Sequence, residues 1–223
     1  MFKSALKKIF LSLAFVLSSA TAFATVDSPT ANSNAEYSDY APLLQNHEFN
    51  DHDNFDGITC GVIVLNSLNV NTLGSSELGE QTLFTQENIF TPAAKNVVDP
   101  DAVQKNGTNL NELSSLLKVH GVKTKVEYSH IMTEEALKES VVQTVNNPNV
   151  MMIVHFDQGH LSLKTGDTFA VVAGYNEKDD AVLLMNVNPH GKSTTWVKTS
   201  LLLKSLQALD NDSCPRGFLL VSK

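Results

Sequence analysis

The chain opens with a short apolar run, Ile9 to Leu17, behind Lys3, Lys7 and Lys8 and ahead of Ala22-Phe23-Ala24. A positive head, a brief hydrophobic stretch and small residues in that order predict a signal peptide over residues 1–24, cleaved after Ala24. The run is too short to span a bilayer, which takes roughly 20 apolar residues. Residues 25–45 are dominated by Ser, Thr, Asn and Ala with little apolar content, and predict a mobile leader. One domain is expected over residues 46–223, a length that fits a single compact core. Its first stretch, Asn46 to Asp56, is polar and acidic. From Thr59 the pattern changes abruptly to Cys60-Gly61-Val62-Ile63-Val64-Leu65-Asn66-Ser67-Leu68, a buried apolar segment that periodicity alone leaves as helix or strand.

Further on, Leu83 to Phe90 and Asn109 to Gly121 read as helices. In the second, Leu110, Leu113, Leu116 and Leu117 share one face and Gly121 closes it. Val122 to Tyr128 alternates and predicts a strand. Thr133 followed by Glu134 and Glu135 starts a helix that runs to Val145, ahead of Pro148. The last third is dense in Val, Ile, Leu and Met. It predicts strands at Val150 to Phe156, Thr168 to Tyr175, Ala181 to Val187, Thr194 to Val197 and Gly217 to Val221, with a helix from Thr199 to Ala208. Asn176 to Asp180 forms a hairpin turn between the second and third of these strands. Helices first and an antiparallel sheet afterwards make this an α+β layout, not an alternating βαβ one.

Charge narrows the partners. The chain carries 16 Lys and Arg against 24 Asp and Glu, a formal net charge of −8. Loss of the three leader lysines makes the remainder more acidic still. Such an acidic balance argues against nucleic acid and anionic membrane as partners.

Chemistry concentrates on Cys60. A thiol at the N-terminus of a buried helix feels the partial positive charge of unpaired amides, which favours thiolate, and those amides can hold an oxyanion. The structural alternative is a disulfide with Cys214, the only other cysteine. His47, Asp51, His52 and Asp53 have the donor types of a metal site, although flexible acidic runs usually stay solvated. Asn106-Gly107-Thr108 matches the glycosylation sequon, which matters only in a host that glycosylates asparagine.

Several segments in the same order resemble the phytochelatin synthase family. They are Ile58-Thr59-Cys60-Gly61 with the helix ending Leu65-Asn66-Ser67-Leu68, then Thr85-Gln86-Glu87-Asn88-Ile89-Phe90, then Leu110 to Val122. Ala173-Gly174-Tyr175-Asn176, Leu183 to Val187, Trp196-Val197 and Arg216 to Ser222 complete the set, over about residues 54–223. The resemblance implies a papain-like fold and a Cys-His-Asp acyl-transfer site acting on glutathione. The thiolate attacks the bond before glycine, glycine leaves, and a second glutathione or water takes the γ-glutamylcysteinyl group. It implies no cofactor, since heavy-metal ions enter as glutathione thiolates.

Carried over residue by residue, the resemblance makes Cys60 the nucleophile and places Asn186 where the acid orienting the histidine stands. For the base it offers two positions. Gly159-His160-Leu161-Ser162 matches the motif letters but lies eight residues too far from Tyr175, whereas ungapped counting puts Thr168 there, which cannot serve as a base. His155 is a second candidate base. Asn54 falls where the family has the glutamine of the oxyanion hole. The expectations are an exported (periplasmic or secreted) glutathione γ-glutamylcysteinyltransferase-like enzyme, or a non-catalytic thiol-bearing relative. A papain-like peptidase is the weaker third. A small thiol substrate is the expected partner, and homodimerisation stays open.

Overall fold

The computed structural model describes residues 35–36, 40–70, 83–161, 166–208 and 215–223. The expected signal peptide, Cys214 and Ser162 lie outside them. Near the start, β1 (Ala35–Glu36) and α1 (Tyr40–Gln45) precede the long helix α2 (Asp56–Ser67). Next come α3 (Pro92–Lys95), α4 (Pro100–Asn106) and α5 (Leu110–Val119), then β2 (Lys123–Tyr128) and α6 (Glu134–Val145). The remainder is β3 (Val150–Asp157), a 3-10 turn (Gln158–Leu161), β4 (Asp167–Asn176), β5 (Ala181–Asn186), β6 (Thr194–Lys198), α7 (Thr199–Gln207) and β7 (Gly217–Ser222). The α+β order expected from the sequence is the one observed.

The described strands form one sheet in the order β2-β7-β3-β4-β5-β6, every pairing antiparallel, with β1 added to the end of β4. β7, the last element of the chain, inserts between β2 and β3. Its alternate residues feed two cores. Met151, Ile153, Val171, Leu219 and Val221 face α2 and α5, while Met152, Val154, Val172 and Phe218 face α6 and α7. A sheet covered on both sides explains why its strands read as nearly unbroken apolar runs.

Local signals fix the helix ends. Asn109 and Glu112 form a reciprocal capping box at α5, and Thr133 caps α6 through the Ala136 N–H. α3 and α4, which the apolar pattern does not reveal, each start on a capped Thr or Asp followed by proline, Thr91-Pro92 and Asp99-Pro100.

Two expectations need correction. Residues 83–90 form no helix: the Thr85 N–H donates to Asn88 Oδ1 at 2.8 Å and the Asn88 N–H returns to Thr85 Oγ1 at 3.1 Å. These side chains satisfy the backbone locally and make a turn. Nor is the stretch up to 45 wholly a mobile leader. β1 pairs with Tyr175 and Asn176, and α1 buries Leu43 completely. One apolar anchor in a polar stretch was enough to dock it, which average composition hides.

At Gly217 the backbone of β7 lies close against β2. A Cβ there would lie 2.0 Å from the Glu127 carbonyl oxygen on β2. Gly217→Ala must therefore part β2 from β7. We expect a loss of about 3 kcal/mol, measured by urea denaturation.

Candidate functional site

Helix α2 is buried from Gly57 through Ser67, apolar nearly all round, as befits a central helix wedged between α5 and the sheet. Its N-terminus points at the start of β4. The residue at that tip is Asp56, not Cys60, which lies a full turn further in. The expected placement of Cys60 at the helix N-terminus is thus corrected. The apolar run begins at the visible edge of a helix whose first turn is made by the polar residues before it.

Asp56 joins helix to sheet. The Phe169 N–H donates to its Oδ2 at 2.9 Å, and the Thr168 hydroxyl bonds the same carboxyl. Desolvation pushes the Asp56 carboxyl above the ordinary Asp range, and nearby Asp167 adds to the rise, against the hydrogen bonds that favour its charge. Gly57 permits the approach. A Cβ there would meet Thr108 Oγ1 at 2.3 Å and the Phe169 ring at 3.3 Å.

Cys60 carries a free thiol and is fully buried. Its expected alternative partner, Cys214, lies outside the described residues. Burial first, and the Asp56 charge second, raise the thiol well above its ordinary pKa of 9.0. The environment therefore opposes the thiolate that a helix tip would have favoured.

The other predicted residues are dispersed. His160 sits exposed on the 3-10 turn, its Nδ1 bonded to Asp157 Oδ2 at 3.0 Å, and no hydrogen bond among the described residues links it to Cys60. Asn54 adopts a left-handed backbone (φ 68°) and directs its amide to the carbonyls of Gln104 and Lys105 at the end of α4. Asn186 ends β5, half-buried, its Nδ2 donating to the Lys192 carbonyl and Thr195 Oγ1, both at 3.1 Å. Thr168, the ungapped alternative, is buried and faces the helix tip. His155 is buried on β3, its ring stacked on Phe169 at 4.3 Å and 6°.

A groove runs over this tip in three connected depressions. One of about 490 Å³ is bordered by Asp56, His155, Asp167 and Phe169. A second, about 630 Å³, shares Asp56 and Asp167 with it and adds Asn50 and Thr168. The third, about 300 Å³, lies between Thr168 and Asn186. Asp56, Thr168 and Asn186 thus line one continuous cleft, while Cys60 lines none of its three parts. As for metal, the His47 ring donates to the Asn186 carbonyl at 2.8 Å and His52 packs edge-on to Phe55. Among the described residues no group of three or more His, Cys, Asp or Glu side chains is gathered to hold an ion.

Asp56 was missed in the sequence. Its signal was present: Asp56-Gly57 repeats the Xaa-Gly pattern of Cys60-Gly61 one helical turn earlier, with an acid in the first-turn position that helix N-termini favour.

A central helix whose tip abuts an antiparallel sheet, with a cleft between them, defines a papain-like α+β protein. The family model of phytochelatin synthase matches residues 16–218, and the chain belongs to that family. It is similar to a glutathione gamma-glutamylcysteinyltransferase of Schizosaccharomyces pombe, 27% identical over 121 residues, 53% of this chain and 29% of the relative. Similarity to glutathione gamma-glutamylcysteinyltransferase 1 of Arabidopsis thaliana is 23% over 124 residues, 55% of this chain and 26% of the relative. The aligned part thus spans less than a third of those relatives' length.

Two measurements follow. Native Cys60 should react with a thiol reagent at least about 100-fold more slowly than the unfolded chain, followed in a Cys214→Ser background. A fast native reaction would contradict its burial. For Asp56, the folded-state pKa lies above the unfolded one, so folding takes up a proton between the two values. Stability is highest below that window and falls as pH rises through it. Asp56→Asn keeps an acceptor for the Phe169 N–H, removes that decline, and should raise Tm at pH 7 by about 2–4 °C, read by circular dichroism.

Proposed function

We propose that this chain is a ligand-binding member of the phytochelatin synthase family, taking a γ-glutamyl thiol peptide of the glutathione type in the cleft over α2, without a Cys60 acyl-enzyme. The observation that carries this reading is the occupancy of the helix tip. Asp56, Thr168 and Asn186 meet the cleft, whereas the thiol is sealed in the core and His160 is engaged with Asp157. A buried thiol whose burial favours the protonated form, with no imidazole bonded to it among the described residues, lacks the nucleophile–base pair that acyl transfer requires. Asp56 cannot replace it by the same chemistry, because a carboxylate held by two hydrogen bonds at this tip is a weak nucleophile.

Substrate class rests on the family and on relatives whose names specify glutathione. Heavy-metal ions would arrive as thiolates of that ligand, as cargo. The pattern over residues 1–24 supports export, which would place the cleft in a periplasmic or extracellular space. The second reading is the transferase itself, with Cys60 as nucleophile and His160 as base. It is favoured by the same relatives and requires both the 3-10 turn and α2 to rearrange.

The reduced protein should be incubated with glutathione and cadmium and assayed for free glycine, with glutathione binding followed in parallel by calorimetry. The expected result is saturable binding, with glycine release no greater than that of Cys60→Ala. Glycine release that vanishes in Cys60→Ala would sink the proposal in favour of the transferase.

A further inference from the structure

Acyl transfer by a thiol makes three spatial demands. The nucleophile stands in the first turn of a helix, open to the cleft, where unpaired amides favour its charge and can hold an oxyanion. A base faces it from across the cleft. A third group beside the base fixes the ring. Geometry and not sequence position identifies such a constellation. Cys60 fails the first demand: it lies in the second turn of α2, fully buried, and lines no part of the groove.

Asp56 meets it. It opens α2 and borders both of the larger depressions. Across from it stands Thr168, whose hydroxyl bonds the Asp56 carboxyl and whose neighbour Phe169 donates its N–H to the same group at 2.9 Å. Asn186 lies on the next strand, opposite Ala170 in register, so it stands one pleat along from Thr168 on the same sheet face. Both described hydrogen bonds of its side chain are donated by Nδ2, to the Lys192 carbonyl and Thr195 Oγ1. The amide is thereby anchored, and Oδ1 is left to accept an N–H. A threonine at 168 is too short to supply one, and the 300 Å³ depression occupies the space between the two side chains.

We infer that Asp56, Thr168 and Asn186 occupy the nucleophile, base and orienting positions of this scaffold, a complete acyl-transfer geometry disarmed by side-chain identity alone, and that Cys60 and His160 are no part of it. Restoring a thiol and an imidazole at the first two positions then restores the chemistry. The inference goes beyond the binding reading above, which leaves the three positions without such roles. It also explains the missing imidazole: with a carboxylate at the tip, a threonine hydroxyl is partner enough.

Variants of the full chain in a Cys214→Ser background test this without glutathione, so its failure is separable from that of the binding reading. Asp56→Cys combined with Thr168→His places a thiol and an imidazole at the tip. Iodoacetamide at about pH 6 should alkylate that thiol at least about tenfold faster than it alkylates Asp56→Cys alone. The imidazole holds the thiol proton, the S–C bond forms and iodide leaves. The same pair should open p-nitrophenyl acetate in a burst: sulfur takes the acetyl group, p-nitrophenolate leaves, and water then releases acetate. Adding His160→Ala should change neither result. Should the double variant not fold, Thr168→His alone decides, because it keeps Asp56 and its bond to the Phe169 N–H. In an NMR titration the introduced imidazole should bind its proton at least about tenfold more tightly than a free one, an excess that Asp56→Asn removes although Asp167 remains. Alkylation that ignores the imidazole, or an imidazole that titrates as if free in water, would overturn the assignment. So would Cys60-dependent glycine release by the native chain.

Discussion

The joint between α2 and β4 is the contact on which the rest of this molecule hangs. Asp56 accepts the Phe169 N–H at 2.9 Å and the Thr168 hydroxyl, so a helix N-terminus and a strand start are tied through one side chain. The carboxylate also sits where the helix macrodipole is positive. Those gains oppose a real cost, because the same burial raises its proton affinity. The joint is therefore a place where stability is given up, the kind of site at which local rules yield to function.

Around it, packing leaves little freedom. Gly57 lets the helix come within contact of Thr108 and Phe169, and Gly61 faces Leu113 and Leu117 across the interface with α5. Larger residues at either position would lift α2 away from its neighbours. The cleft lies between this tip, Gln158 after β3 and the residues that follow β5. Polar side chains line that gap. A wholly apolar helix end would have closed it.

Membership of the phytochelatin synthase family thus describes the scaffold more fully than it describes the chemistry. The sheet order, the buried central helix and the cleft are those of a papain-like α+β fold. At the helix tip itself the cleft meets a carboxylate, a hydroxyl and an amide, Asp56, Thr168 and Asn186, each able to hydrogen-bond a ligand.

Much of this was legible in the residues. The apolar runs of β3, β4, β5 and β7, the leucine face of α5 and the Thr133 cap of α6 each belong to periodicity or to local capping, which act over a few residues and need no partner. Thr168 emerged from counting along one strand, for the same reason. What failed were inferences across elements. The apolar run seemed to open at Cys60, yet its helix begins four residues earlier, at Asp56, whose carboxyl is held by Phe169 on β4, far off in sequence. Whether a thiol is exposed or sealed, and whether His160 turns towards it or towards Asp157, depends on how α2 lies on the sheet. Only long-range packing decides that, so the chain alone wrote the elements and the fold chose which side chains meet.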